Sequence, residues 1–333
     1  MQIKKELTKE EFENKVYDIE HEPMPQGAWW WWFWLFFFNN PKETKKMQQF
    51  MILWSTKNVK KIQCNDLKVK LKPITNKKDL EGVVAAWYFD GDTMHHNFLL
   101  EQCMIKITDK MLTSESNTET SHRMNREKNI IKIGDDFEFF AQPNSGSPAP
   151  TYVSNTYIGS RGYSILRAEH FTLEGVIKNT KIEGSAYFQR IFLNAFAFPW
   201  YWGIFHFEKG EVLSYFYPHI LHKPIRKTLS FYDGKMRHKL HITKIRRSNE
   251  NLPSFFVSGK NEYATIDFVV RTYSHSSWTF KKKIMGLISN KLVYNEYPAV
   301  ISDITFKTKD KTFSSVNLGK SIGNAEYSKG ILI

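Results

Sequence analysis

The chain has 333 residues, 41% hydrophobic and 15% aromatic, and a formal charge of +13 from 47 basic and 34 acidic side chains. That apolar content excludes a disordered chain, and the length allows two domains or one large one. The charge admits nucleic acid or an anionic membrane as partner, but the basic residues are scattered over 57–61, 68–72, 237–247 and 281–283 and form no single stripe.

The N-terminus, Met1-Gln2-Ile3-Lys4-Lys5-Glu6-Leu7, lacks the apolar core of a signal peptide, so a cytoplasmic location is expected, with membrane-surface contact left open. Residues 10–17 carry a short helical pattern. Gly27-Ala28-Trp29-Trp30-Trp31-Trp32-Phe33-Trp34-Leu35-Phe36-Phe37-Phe38 then places five tryptophans and four phenylalanines in twelve positions. A membrane-spanning helix needs about 20 apolar residues, and this run offers roughly half. Aromatics favour strands, and Asn39-Asn40-Pro41 is turn chemistry. The run is therefore expected to be a strand buried on both faces, in a hairpin with the apolar run at 47–54.

Residues 63–71 alternate as a strand, and 83–89 and 98–107 flank the hairpin turn Asp90-Gly91-Asp92. Cys64 and Cys103 lie far apart in strand-like sequence and are expected as buried thiols. Residues 113–129 read as a polar exposed loop, and 142–150, with its prolines and Gly146, as a loop able to cover a cavity mouth. Strand patterns resume at 130–133, 137–140, 163–167 and 171–178. A second aromatic concentration, Phe196-Ala197-Phe198-Pro199-Trp200-Tyr201-Trp202-Gly203-Ile204-Phe205-His206-Phe207, turns at Glu208-Lys209-Gly210 into a hairpin with 211–217. Further strand-like runs lie at 239–245, 255–257, 263–273, 291–294, 300–306 and 324–333. Regularly spaced strands with turn signals predict an all-β sandwich or barrel. Each half opens on an aromatic-dense strand, a polar turn and a second apolar strand, which predicts two antiparallel β-barrel domains, 1–180 and 181–333.

Three stretches carry a family resemblance: Trp30-Trp31-Trp32-Phe33-Trp34-Leu35; Gly184-Ser185-Ala186-Tyr187-Phe188-Gln189-Arg190 followed by Trp200-Tyr201-Trp202-Gly203-Ile204-Phe205; and Tyr294-Asn295-Glu296-Tyr297-Pro298 with Gly323-Asn324-Ala325-Glu326-Tyr327. They resemble, respectively, the aromatic first strand, the central G-x-(G/A)-(Y/W)-x-D-x…W-x-W segment, and the closing Y-x-E and G-x-x-E elements of the carotenoid 1,2-hydratase (hydroxyneurosporene synthase)-like or AttH-like lipocalin family. The resemblance implies two lipocalin-like barrels in tandem and a hydrophobic, isoprenoid or lipid-like ligand. Gln189 stands where that family has an acidic residue, so hydration, cyclisation and simple binding all stay open.

Hydrating an isoprenoid double bond requires an acid able to protonate carbon, and a carboxyl kept neutral by apolar burial suits that role. Glu101, Asp136, Glu138, Glu169, Glu183 and Asp267 sit among aromatics in the sequence, with Glu101 and Glu138 the foremost candidates and an outward strand face the alternative for each. Tyr187 and Gln189 share a strand face. Pointing inward, they would give a cavity floor, with Gln189 a third catalytic candidate beside Glu101 and Glu138 and with Arg190 facing out or toward the domain interface; ordinary core packing is the competing reading. Trp30, Trp32, Trp34, Trp200, Trp202 and His206 complete the expected ligand-binding set. No cofactor is expected. His95-His96 and His219-x-x-His222 lack a third ligand at metal spacing. Gly159-Ser160-Arg161-Gly162 and Ser145-Gly146-Ser147 match neither a phosphate loop nor a nucleophile elbow. The expected partner is an apolar small molecule or lipid, with a basic protein binding anionic membrane or nucleic acid as the alternative; long aromatic runs without interleaved Lys or Arg argue against the nucleic-acid form.

Overall fold

A computed structural model describes the chain except residues 1, 18–23, 40–45, 109–110, 117–120, 126–128, 145, 157–160, 196, 221–222, 285–287 and 332–333. The turn after Asn39, and Ser145, Gly159, Ser160 and His222, thus lie outside the described residues. The chain divides into two compact units, residues 1–196 and 197–332, and forms two closed antiparallel β-barrels in tandem, of ten and eight strands.

The first barrel is a meander. Trp29–Asn39, Gln48–Lys57, Asp79–Phe89, Met94–Ile107, Met111–Ser116, Ser121–Asn125, Asn129–Ile133, Phe137–Pro143, Gly162–Ile177 and Thr180–Asn194 each pair with the next, and the last returns to the first, Tyr187 opposite Leu35. Thr180–Asn194 therefore closes the first barrel and does not open the second, which moves the domain boundary from 180 to 196. Residues 113–129, expected as an exposed loop, contain two more staves of this barrel. Leu112 and Met124 point into its core while polar partners alternate outward, so polar composition masked a period of two.

Trp30, Trp32, Trp34, Phe36 and Phe38 form one inward row of the aromatic strand, and Phe33, Leu35 and Phe37 on the opposite face are buried as well. The expectation of burial on both faces holds. Inside, rings fill the barrel: Trp34 lies 4.7 Å from Phe188, 5.2 Å from Phe171 and 5.7 Å from Phe36, and Phe36 stacks on Phe139 at 4.7 Å. The helix Lys9–Tyr17 adds to this core through Phe12 and Val16. A capping box starts that helix: the Glu11 amide donates to Thr8 Oγ1 at 3.2 Å and the Thr8 amide to Glu11 Oε2 at 2.9 Å. Both cysteines are free and buried.

The second barrel is also a meander: Trp200–Phe207, Val212–Ile220, Thr228–Tyr232, Arg237–Arg247, Ser254–Lys260, Ala264–Thr272, Ile288–Thr308 and Ser321–Gly330, the last pairing with the first. Phe205, Tyr215, Phe231, Phe255, Phe268, Ala299, Phe306 and Ala325 fill its interior. Gly203 is required there, because a Cβ would stand 2.6 Å from the Tyr215 ring that crosses beside it. Ser276–Ile284 forms a hairpin with the first part of Ile288–Thr308, setting Trp278 opposite Tyr294.

Candidate functional site

In the second barrel, alternation sends Tyr201, Tyr297, Ala325 and Tyr327 inward, so Trp202, Glu296, Asn324 and Glu326 face outward. Register places Glu296 directly opposite Glu326, and Glu326 directly opposite Trp202. Two carboxyls facing each other across a strand pair repel when both are ionised. Both are nevertheless buried, Glu296 at 0% and Glu326 at 4% exposure.

The surrounding donors explain how. Trp278 Nε1 donates to Glu296 Oε2 at 2.7 Å, and Trp200 Nε1 to Glu326 Oε2 at 2.8 Å. Tyr294 Oη lies 3.0 Å from Glu296 Oε1 and 2.6 Å from Glu326 Oε1. A phenol has one proton to give. Both contacts are hydrogen bonds only when one carboxyl keeps its own proton and donates it to the phenol oxygen. The pair shares that proton as a unit: burial, then the facing Glu296, push the pKa of Glu326 from 4.5 up to about 8, against the lowering effect of hydrogen bonds from Tyr294 and Trp200. Burial and the two carboxylates hold Tyr294 well above the ordinary phenol range, so it stays a phenol. The result is a chain, Trp200–Glu326–Tyr294–Glu296–Trp278, with one carboxyl proton along it.

Asn324, two residues before Glu326 on the same face, is fully buried, and among the described residues neither its Oδ1 nor its Nδ2 has a hydrogen-bond partner. Leaving a buried amide unpaired costs about 1–3 kcal/mol per group, so such a side chain calls for a polar partner that the folded chain does not supply. Trp200, Trp202 and His206, expected as ligand-binding residues, belong to this outward face.

The other expected site residues lie in the first barrel. Trp30, Trp32 and Trp34 are in its filled interior. Tyr187 and Gln189 do share a face, and Tyr187 Oη donates to Gln189 Oε1 at 2.9 Å. That face is the outward one. Ala186, Phe188 and Phe192 set the inward row, which brings Arg190 inside at 3% exposure, the reverse of the expected arrangement. Glu101 lies on the inward row of Leu99, Cys103 and Ile105 and accepts a hydrogen bond from Ser116 Oγ at 2.8 Å. Glu138 is on the outward row, in an ion pair with Lys132 at 3.0 Å, which is the surface alternative. Glu169 is buried with Arg167 Nη1 at 3.9 Å, Asp267 accepts from Ser258 in an exposed setting, and Asp136 and Glu183 are exposed. Among the described residues no group of three or more His, Cys, Asp or Glu could hold a metal ion.

Neither Glu296 nor Glu326 stands out among the acids by its sequence neighbours, although the Tyr294-x-Glu296 and Gly323-x-x-Glu326 stretches resemble the family pattern. Along a strand the chemical neighbours are two residues away or across the ladder, so screening acids by their immediate flanks hid both.

Fold and site define a two-barrel, lipocalin-like protein. Among solved structures, a Nitrosomonas europaea protein provisionally designated AttH aligns over 97% of this chain and 96% of its own with 12% identity and a TM-score of 0.53. The AttH-like resemblance of the sequence thus holds as a likeness of fold. The structure of CghA with Sch210972 aligns over 92% of this chain and 89% of its own, at 9% identity and a TM-score of 0.41, too distant to carry an argument. No family model and no curated protein matches the chain.

Proposed function

We propose that the chain binds an apolar, unsaturated molecule against the Trp200–Trp202 face of the second barrel and that Glu326 is its acid. The observation that carries this is the pair of buried, facing carboxyls bridged by Tyr294, on the same strand face as a fully buried Asn324 that has no hydrogen-bond partner among the described residues. A neutral carboxylic acid in apolar surroundings is matched to proton donation near neutral pH. The π pair of a carbon–carbon double bond would take the Glu326 proton, leaving a carbocation and the Glu326 carboxylate. Water then closes a carbon–oxygen bond and releases a proton, or a second double bond closes a ring and a proton leaves the neighbouring carbon. In either case the released proton restores Glu326 through Tyr294. The Asn324 carboxamide would orient a hydroxyl or carbonyl of the ligand.

Native mass spectrometry of the purified protein should find a co-purifying apolar molecule. Incubation with extracted isoprenoid lipids in ¹⁸O-water should then give labelled product, or an isomeric ring product of unchanged mass. Glu326→Gln is expected to lower turnover about 100-fold or more while retaining bound ligand. Equal turnover in the two proteins removes Glu326 from the reaction; bound ligand without turnover in either reduces the function to binding.

A further inference from the structure

The inward row at one end of the second barrel has a different character from its packed middle. Tyr201, Tyr217 and Tyr327 point inward yet are only half-buried, so part of this aromatic layer faces solvent. Tyr201 stacks on Tyr327 at 4.8 Å and lies 6.2 Å from Tyr217 and 5.5 Å from His219. One step below, the Tyr215 hydroxyl is fully buried, and among the described residues it has no hydrogen-bond partner.

Arg247 joins this layer. A bulge between Ile242 and Lys244 resets the strand's alternation and sets Arg247 opposite Phe255, on the inward side, with its guanidinium 4.9 Å from the Tyr327 ring centre. Lys329 Nζ lies 5.6 Å from the same ring. Among the described residues no carboxylate pairs with Arg247. Burial pushes Tyr201 up to about 12, and the Arg247 charge opposes that rise there and at Tyr297, which places the cation electrostatically within the aromatic layer. A half-buried guanidinium over aromatic faces, without an internal counter-ion, is a receptor for a carboxylate or phosphate.

We propose that this end of the second barrel is a separate binding site for an anionic amphiphile. Its carboxylate or phosphate sits on Arg247 and Lys329, and its apolar portion lies against Tyr201, Tyr217 and Tyr327 toward the Tyr215 hydroxyl. The site shares no residue with the Glu296–Glu326 pair, although the Glu326 charge is felt at the Tyr215 hydroxyl.

Calorimetric titration with oleate below its aggregation limit tests it, with oleyl alcohol as the uncharged comparison. The intact chain should bind oleate more tightly than oleyl alcohol. Arg247→Gln should weaken oleate by about tenfold to a hundredfold and leave oleyl alcohol unchanged, with Arg247→Lys intermediate. Lys132→Gln, on the outer surface of the first barrel, should bind oleate like the intact chain. Co-sedimentation with phosphatidylglycerol vesicles separates the sources: capture that depends on Arg247, with weak oleate binding, assigns the anion to a lipid headgroup. Oleate and oleyl alcohol binding equally, or no Arg247 dependence with either oleate or vesicles, overturns the proposal.

Discussion

Glu326→Gln is expected to make the chain more stable than its parent at pH 8 and above, and no more stable at pH 4. The Glu326 carboxyl has its usual pKa of 4.5 raised to about 8 by burial and by the facing Glu296. Between those pH values the folded chain keeps a proton that the unfolded chain has released. The folded state binds more protons, so stability falls as pH rises through this window and levels off above it. The slope is about 1.4 kcal/mol per pH unit where the two states differ by one proton, a total of a few kcal/mol. Glutamine preserves the geometry of the neutral acid: its Nε2 donates to Tyr294 and its Oε1 accepts from Trp200. It therefore removes the pH-dependent part and little else. Thermal melts of both proteins from pH 4 to 9 should diverge steadily above pH 5. Parallel curves would place the ionisation of Glu326 back in the ordinary range.

Trp34→Ala is expected to be the most damaging single truncation in the first barrel. The Trp34 ring has no exposure and lies within 6 Å, centre to centre, of Phe36, Phe171 and Phe188, which come from three different strands. Removing a buried indole from a close-packed interior costs about 3–5 kcal/mol, because the neighbouring rings cannot collapse into the space. For a unit of this size that lowers the melting temperature by on the order of 10 °C. A loss under 1 kcal/mol would mean the first barrel holds open space around Trp34, and the ligand cavity expected from the sequence would return to that barrel.

That expectation shows what the sequence could and could not carry. All-β architecture, two barrels and the aromatic strand buried on both faces were legible, because strand period, turn residues and aromatic density are local properties. Which face pointed inward was not. Residues 29–38 are apolar on both sides and 184–192 carry polar residues on both, Ser185 and Gln189 against Arg190, so alternation has no sign and does not tell that Arg190, and not Tyr187 and Gln189, lies inside. Closure was equally hidden: nothing local to residues 180–194 tells that this strand pairs back to Trp29–Asn39. The acid pair needed the register of Ile288–Thr308 against Ser321–Gly330, which sets Glu296 opposite Glu326 although 30 positions separate them.

The two regions of the second barrel divide the chemistry. The interior end, with Arg247 and the tyrosines, presents positive charge and partly open aromatic faces. The outward face presents a proton held by Tyr294 between two carboxyls. The first barrel, by contrast, is filled with its own rings.

The proton of the Glu296–Glu326 pair decides whether this face can act as an acid. Carbon-13 NMR of glutamate side-chain carboxyls, titrated from pH 3 to 10 in the intact chain and in Glu326→Gln, measures it. One carboxyl should keep the shift of the protonated acid at pH 7, titrate near pH 8, and vanish from the spectrum of the variant. A spectrum in which every glutamate is ionised by pH 6 would contradict the account.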